Sequence, residues 1–191
     1  MRHVREFVAG LVIMLTLNVP GLKAEIVNAE QSGDWLLFEN TAVGQLPAHC
    51  GMATGGDGPG IVIRYGIGFD FVNFQVGNPD WDFSTVAVGV PVVLAFDGID
   101  SLHVKATGRK YAGDAGNSNG EAKAVSVLEF GIAREEFDSM IRRFSDAGEM
   151  QVKIPGGKAW RARMKGSRKA MDLFEACVLR LFANNSKPGN D

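Results

Sequence analysis

The chain has 191 residues, 20 of them Lys or Arg and 22 Asp or Glu, with 46% apolar and 22% charged side chains. That length and composition fit one globular domain able to bury a core without staples, and they exclude a disordered or collagen-like chain. The net charge of −2 removes any global electrostatic reason to bind nucleic acid.

Arg2, His3 and Arg5 form a positive start, and residues 7–17 are apolar apart from Gly10 and Thr16. The breakers Asn18, Pro20 and Gly21 follow, and then Leu22-Lys23-Ala24 places a small residue at a cleavage point. This order predicts a secretory signal peptide over residues 1–24. Its apolar stretch is shorter than the roughly 20 residues that span a bilayer. Cleavage after Ala24 removes three basic residues and one acidic one, leaving 167 residues with 17 basic and 21 acidic side chains, a net charge of −4. No cysteine near the cleavage point offers a lipid attachment site, and no later segment is long and apolar enough to span. The expectation is a periplasmic or secreted protein with one β-rich domain over residues 25–183 and a flexible polar tail over 184–191.

Residues 34–39 predict a first strand with Trp35 and Leu37 on one face. A second strand carries Cys50. Residues 51–60 hold Gly51, Gly55, Gly56, Gly58, Pro59 and Gly60, which by the rules of turn chemistry predict a loop. Residues 61–65 and 69–76 are short β-branched and aromatic runs separated by Gly66 and Gly68. Residues 83–96 form a longer apolar run interrupted by Gly89 and Pro91, which predicts two strands or a bent one. Asp97-Gly98 is a hairpin signal, with residues 101–107 returning. A polar glycine-rich segment over 113–120 leads to a strand over 122–130.

The period then changes. Phe137, Met140, Ile141 and Phe144 line one face of a helix that Gly148 stops. Residues 150–154 and 158–165 predict a hairpin around Pro155-Gly156-Gly157. Ser167 is placed to cap a final helix carrying Met171, Phe174, Cys177, Val178 and Leu181 on one face. Many short strands plus two helices in the C-terminal half predict an α+β, β-rich fold, either an antiparallel β-sandwich or an open barrel.

Two cysteines in an oxidising compartment predict a disulfide between Cys50 and Cys177. Two Cys beside one histidine lack a fourth zinc ligand at finger or ribbon spacing. A catalytic thiol at Cys50 would need His49 on its own face, whereas neighbours on a strand point to opposite faces.

No catalytic or cofactor constellation emerges. Gly116-Asn117-Ser118-Asn119-Gly120 matches the nucleophile pattern G-x-S-x-G, but no histidine follows it and its flanks are loop and strand. Residues 51–60 contain neither G-x-G-x-x-G opening a helix nor G-K-[ST], so no nucleotide cofactor is expected. Asp80-Trp81-Asp82 sets two carboxylates beside a ring, which one turn does not turn into a glycosidase pair; Asp97 and Asp100 read as turn residues. Lys153, Lys158, Arg161, Arg163, Lys165, Arg168 and Lys169 form the one notable charge cluster, with no acid between Gln151 and Met171. On a strand, Arg161, Arg163 and Lys165 share a face opposite Trp160, Ala162 and Met164. Such a stripe protects an edge strand from aggregation, and it can also dock an acidic protein or an anionic envelope polymer. The candidate binding residues are therefore Lys158, Arg161, Arg163, Lys165, Arg168 and Lys169, with no metal site.

Gly33-Asp34-Trp35 opening the domain, the early Cys50, the helix followed by a hairpin, and the run from Lys165-Gly166-Ser167 to Ala176-Cys177 together resemble the invasion-associated locus B family of exported proteins of Gram-negative bacteria. The resemblance implies a non-enzymatic envelope protein, sometimes linked to host-cell invasion, with no catalytic residues to carry over. The expected function is that of a periplasmic binding or accessory protein. An inhibitor or immunity protein, plugging an envelope hydrolase with residues 51–60 or 113–120, is the alternative.

Overall fold

The computed structural model describes residues 26–40, 47–55, 59–83, 85–111, 125–155, 157 and 159–185. Residues 1–24 and 113–120, which carry the expected signal peptide and the G-x-S-x-G match, lie outside that range, as does Lys158. In chain order the strands are β1 (Ile26–Ser32), β2 (Trp35–Asn40), β3 (His49–Thr54), β4 (Gly60–Gly66), β5 (Phe71–Asn78), β6 (Ala87–Phe96), β7 (Ile99–Tyr111), β8 (Val125–Ala133), β9 (Glu149–Lys153) and β10 (Trp160–Arg163). Helix α1 (Phe137–Asp146) follows β8 through a 3-10 turn, and α2 (Ser167–Asn185) follows β10.

All strand pairings are antiparallel, and the ten strands make a single sheet in the order β1-β2-β3-β4-β5-β8-β7-β6-β9-β10. One open antiparallel sheet with two helices is the expected β-rich α+β class. Strand alternation produces its inner face. Trp35 and Leu37 of β2, Cys50 and Met52 of β3, Ile61, Ile63 and Tyr65 of β4, and Val72, Phe74 and Val76 of β5 are all buried in one core. Phe144 of α1 meets Trp35 at 6.2 Å, Phe74 at 5.8 Å and Phe96 at 5.2 Å between ring centroids, so β2, β5 and β6 converge on one helical side chain. The sheet therefore curls around α1. Among the exposed positions of the long β6–β7 hairpin, the Gly89 bulge (φ +74°) supplies the expected bend, and Gly98 (φ +71°) makes the expected tight turn.

The two ends of the curled sheet are joined by a clasp. The Asp34 N–H donates to the Lys165 carbonyl at 3.1 Å, and the Ser32 hydroxyl donates to the Gly166 carbonyl at 3.0 Å. Lys169 adds an ion pair to Glu30 at 3.0 Å. Gly33 (φ +60°) and Gly166 (φ +85°) both adopt backbone conformations that favour glycine, and each faces the other's backbone too closely for a side chain. A Cβ on Gly33 would lie 2.4 Å from the Lys165 carbonyl oxygen, and one on Gly166 would lie 2.4 Å from that of Ser32. Gly33-Asp34 and Lys165-Gly166-Ser167, distant in the sequence, are thus in contact.

Four expectations require correction. The first strand is β1, not residues 34–39: its residues are mostly exposed, so Asn28, Glu30 and Gln31 give it no apolar alternation. Residues 51–54 are strand, not loop. Gly51 is needed there because the Phe38 ring fills the place of a Cβ, which would sit 2.1 Å from its Cζ. Ser167 does not cap α2; it is the buried first helical residue, and the preceding Gly166 carbonyl accepts from the Ala170 N–H. Helix α2 also runs through Asn184 and Asn185, the start of the expected tail.

The expected disulfide is present, joining Cys50 of β3 to Cys177 of α2 with their Cα atoms 6.1 Å apart. It fastens the final helix across the strands that the first third of the chain supplies. Among the described residues no helix is long and apolar enough to cross a membrane.

Candidate functional site

Among the described residues, strand β10 ends the sheet and has β9 as its only strand neighbour. Its side chains divide as alternation requires: Ala162 and the following Met164 are buried at 5% and 3% exposure, while Arg161, Arg163 and Lys165 are exposed. Arg168 and Lys169 continue the positive surface onto the first turn of α2, where both are exposed.

Part of this charge is neutralised by residues remote in sequence. Arg161 pairs with Glu149 at 3.5 Å, Arg168 with Asp146 at 2.9 Å and Lys169 with Glu30 at 3.0 Å. All three pairs are solvated, so each contributes little to stability. Lys153, Arg163 and Lys165 have no ion pair among the described residues. Beside β10 runs a groove of about 280 Å³, with Asp34, Thr54, Gly55 and Pro59 on its opposite bank.

The direction of the β10 backbone follows from one bond. The Met164 N–H donates to the Gly148 carbonyl at 3.0 Å, which makes that pair hydrogen-bonded in the β9–β10 ladder. Hydrogen-bonded and non-hydrogen-bonded pairs alternate in an antiparallel ladder. Ala162 and Trp160 are therefore bonded toward β9, and the N–H and C=O groups of Arg161 and Arg163 point away from it. The next outward carbonyl, that of Lys165, is the one occupied by Asp34.

The other sequence candidates have local roles. Asp80 lies in a turn whose backbone N–H donates to Asn78 Oδ1 at 2.9 Å, and Trp81 between the two acids is buried against Phe83 at 6.1 Å. Asp82 pairs with Lys110 of β7 at 3.4 Å, while His103 lies seven residues earlier on that strand, about 23 Å away along it. Asp97 accepts from the N–H groups of Gly148 and Glu149 at 2.8 and 2.9 Å. Those backbone bonds, Glu149 first, hold its carboxyl below the ordinary aspartate value. The turn residue thus also anchors the connection from α1 to β9. The carbonyl of Asp100 accepts from Arg143 at 3.3 Å.

His49 and Cys50 do point to opposite faces. Cys50 is in the disulfide, and the His49 ring is buried on the outer face, stacked on Phe69 at 5.8 Å. Its Nδ1 lies 3.0 Å from the Pro47 carbonyl, which can only accept, so Nδ1 carries the proton and Nε2 accepts from Asn40 Nδ2 at 3.0 Å. A second proton on Nε2 would face the Asn40 amide as donor against donor. Burial lowers the His49 pKa from its ordinary 6.5, the Pro47 bond opposes that shift, and the Arg64 charge adds to it. A depressed histidine pKa makes the unfolded chain the better proton acceptor, so the contribution is intact above the ordinary value and is lost as pH falls below it. Denaturant midpoints of the native protein should fall as the pH drops below about 6.5, more steeply than those of His49→Gln. Parallel slopes would contradict the neutral assignment.

One polar array gave no signal as a motif. On the outer face of the sheet Arg64 donates to Gln75 at 3.0 Å, Gln75 to Glu129 at 2.8 Å, and Tyr111 to Glu129 at 2.8 Å, with Arg109 pairing Glu129 at 3.4 Å. Burial, then the hydrogen bond and charge of Glu129, push the Tyr111 hydroxyl up to about 12, and burial lowers Arg64 to about 10. Both keep their ordinary protonation at neutral pH, so the array ties β4, β5, β8 and β7 together. Its members come from separate strands, and only the polar positions within otherwise apolar runs mark them.

No protein-family model matches the chain, and no curated protein matches it. Among solved structures it is similar to the invasion-associated protein B of Bartonella henselae, at 13% identity, covering 84% of this chain and 99% of that one with a TM-score of 0.41. The likeness is loose. No residue role passes from that protein to this chain.

Proposed function

We propose that the protein is an exported, non-catalytic binding protein of the bacterial envelope that holds an anionic partner on the basic face of β10 and the start of α2. The observation that carries this reading is the spacing of Arg161 and Arg163, presented to solvent on β10 with Lys165 exposed in the turn that follows, while Ala162 and Met164 between them are locked in the core. Alternate residues on a strand lie about 6.6 Å apart, so these cations form a preorganised ladder rather than a diffuse charge. The positive face stands on a body whose expected net charge after export is −4, which favours one orientation of approach. The tripartite order of residues 1–24 supports export, and the Cys50–Cys177 bond suits an oxidising compartment. An association with host-cell invasion is the finer form of this reading and rests on the resemblance carried by Gly33-Asp34-Trp35 and the Lys165–Cys177 run.

Charge reversal at Arg161, Arg163 and Lys165 tests the reading. Immobilised native protein should retain an anionic component of the envelope at low salt and release it as salt rises. The triple glutamate variant, folded by circular dichroism, should retain about tenfold less or none. Equal retention by the two proteins at low salt would remove the basic face from the function.

A further inference from the structure

Resting on the basic-face reading, we infer that the free edge of β10 binds an extended acidic peptide segment as an added strand, with carboxylates at alternate positions opposite Arg161 and Arg163. Three observations converge on this edge. The outward N–H and C=O groups of Arg161 and Arg163 have no hydrogen-bond partner among the described residues and face the groove of about 280 Å³. A strand laid there satisfies them by ordinary ladder bonds. The side chains beside those groups are the exposed guanidinium groups, and a paired strand places its own side chains on the same face directly opposite. Opposite charge at those positions is what an added strand needs.

The groove also sets a pattern and an end. Residues interleaved with the acids point the other way, toward Trp160 and Ala162 on one bank and Thr54, Gly55 and Pro59 on the other, a lining that suits small apolar side chains. At the clasp the Asp34 N–H already occupies the outward Lys165 carbonyl, and the Asp34 side chain lines the same groove. Pairing therefore stops there, and a further acid beside Asp34 is repelled. The preferred ligand is short and alternates acid with a small apolar residue; its backbone as well as its charge is read.

Two labelled synthetic peptides of identical composition separate these contributions, one with Glu and Val alternating and one with the Glu and Val residues in two blocks. Fluorescence anisotropy with the disulfide-intact protein should give about tenfold tighter binding for the alternating peptide. N-methylation of the amides that face β10 should cancel the advantage, and Arg161→Gln with Arg163→Gln should abolish binding while circular dichroism stays native. Equal affinity of the alternating, block and N-methylated peptides, all lost in the double variant, would overturn strand addition and leave the basic-face reading standing. Displacement of the alternating peptide by inorganic polyphosphate at equal charge concentration as readily as by itself would also overturn it, because the edge would then be reading charge alone. Binding of neither peptide would overturn it as well, and retention by the envelope component would then decide the broader reading separately.

Discussion

Replacing Cys50 and Cys177 together by alanine lowers the free energy of unfolding by about 2–5 kcal/mol. The bond closes a loop with a sequence separation of 127 residues, nearly the whole described domain. In the chain-entropy account such a closure restricts the unfolded chain by up to about 5 kcal/mol, and native contacts left intact around the gap reduce what is lost. Those contacts are considerable. Met171, Phe174 and Val178 bury the same face of α2 that carries Cys177, so the helix retains apolar anchorage when the bond is gone. A domain of this size is commonly stable by about 5–15 kcal/mol, so the variant folds but with a much smaller margin. Urea unfolding of native and double-alanine proteins at one pH measures the difference. Coincident transitions would show that the bond does not constrain the chain as the topology requires.

Gly33→Ala combined with Gly166→Ala produces the second large effect, about 2–6 kcal/mol from the two positive-φ positions alone. The cost is conformational at both residues and steric as well, because the added Cβ atoms lie 2.4 Å from the carbonyl oxygens of Lys165 and Ser32. Either clash is relieved only by opening the clasp, which breaks the Asp34–Lys165 and Ser32–Gly166 bonds. Gly68→Ala is the control. Gly68 also has positive φ (+73°) but nothing lies within 4 Å of its absent Cβ, so it incurs the conformational cost alone. Thermal unfolding should place the single variants Gly33→Ala and Gly166→Ala well below Gly68→Ala. Equal shifts in all three would show that close approach at the clasp contributes nothing.

The helices were legible because Phe137, Met140, Ile141 and Phe144 repeat at helical spacing, and so were most strands and the cysteine pairing. Strand β1 was not, since an exposed edge strand has little apolar pattern to display. Gly51 was misread because a glycine required for close approach to a ring looks, in sequence, like one required for a turn. At the candidate site, the alternation of Arg161, Arg163 and Lys165 against Ala162 and Met164 could be read directly. The ion-pair partners Glu149, Asp146 and Glu30 could not, because folding alone brings them close. The clasp was visible only as two short motifs at opposite ends of the chain, and its meaning lies in their contact.

Amide hydrogen exchange along β10 tests most directly whether this strand is an open, ligand-binding edge. In the free protein the amides of Ala162 and Met164, bonded toward β9, should exchange slowly, and those of Arg161 and Arg163 should exchange fast. Saturation with the alternating acidic peptide should slow the Arg161 and Arg163 amides and leave Ala162 and Met164 unchanged. Arg161 and Arg163 amides already as protected as Ala162 in the free protein, or unaltered at saturation, would contradict the account.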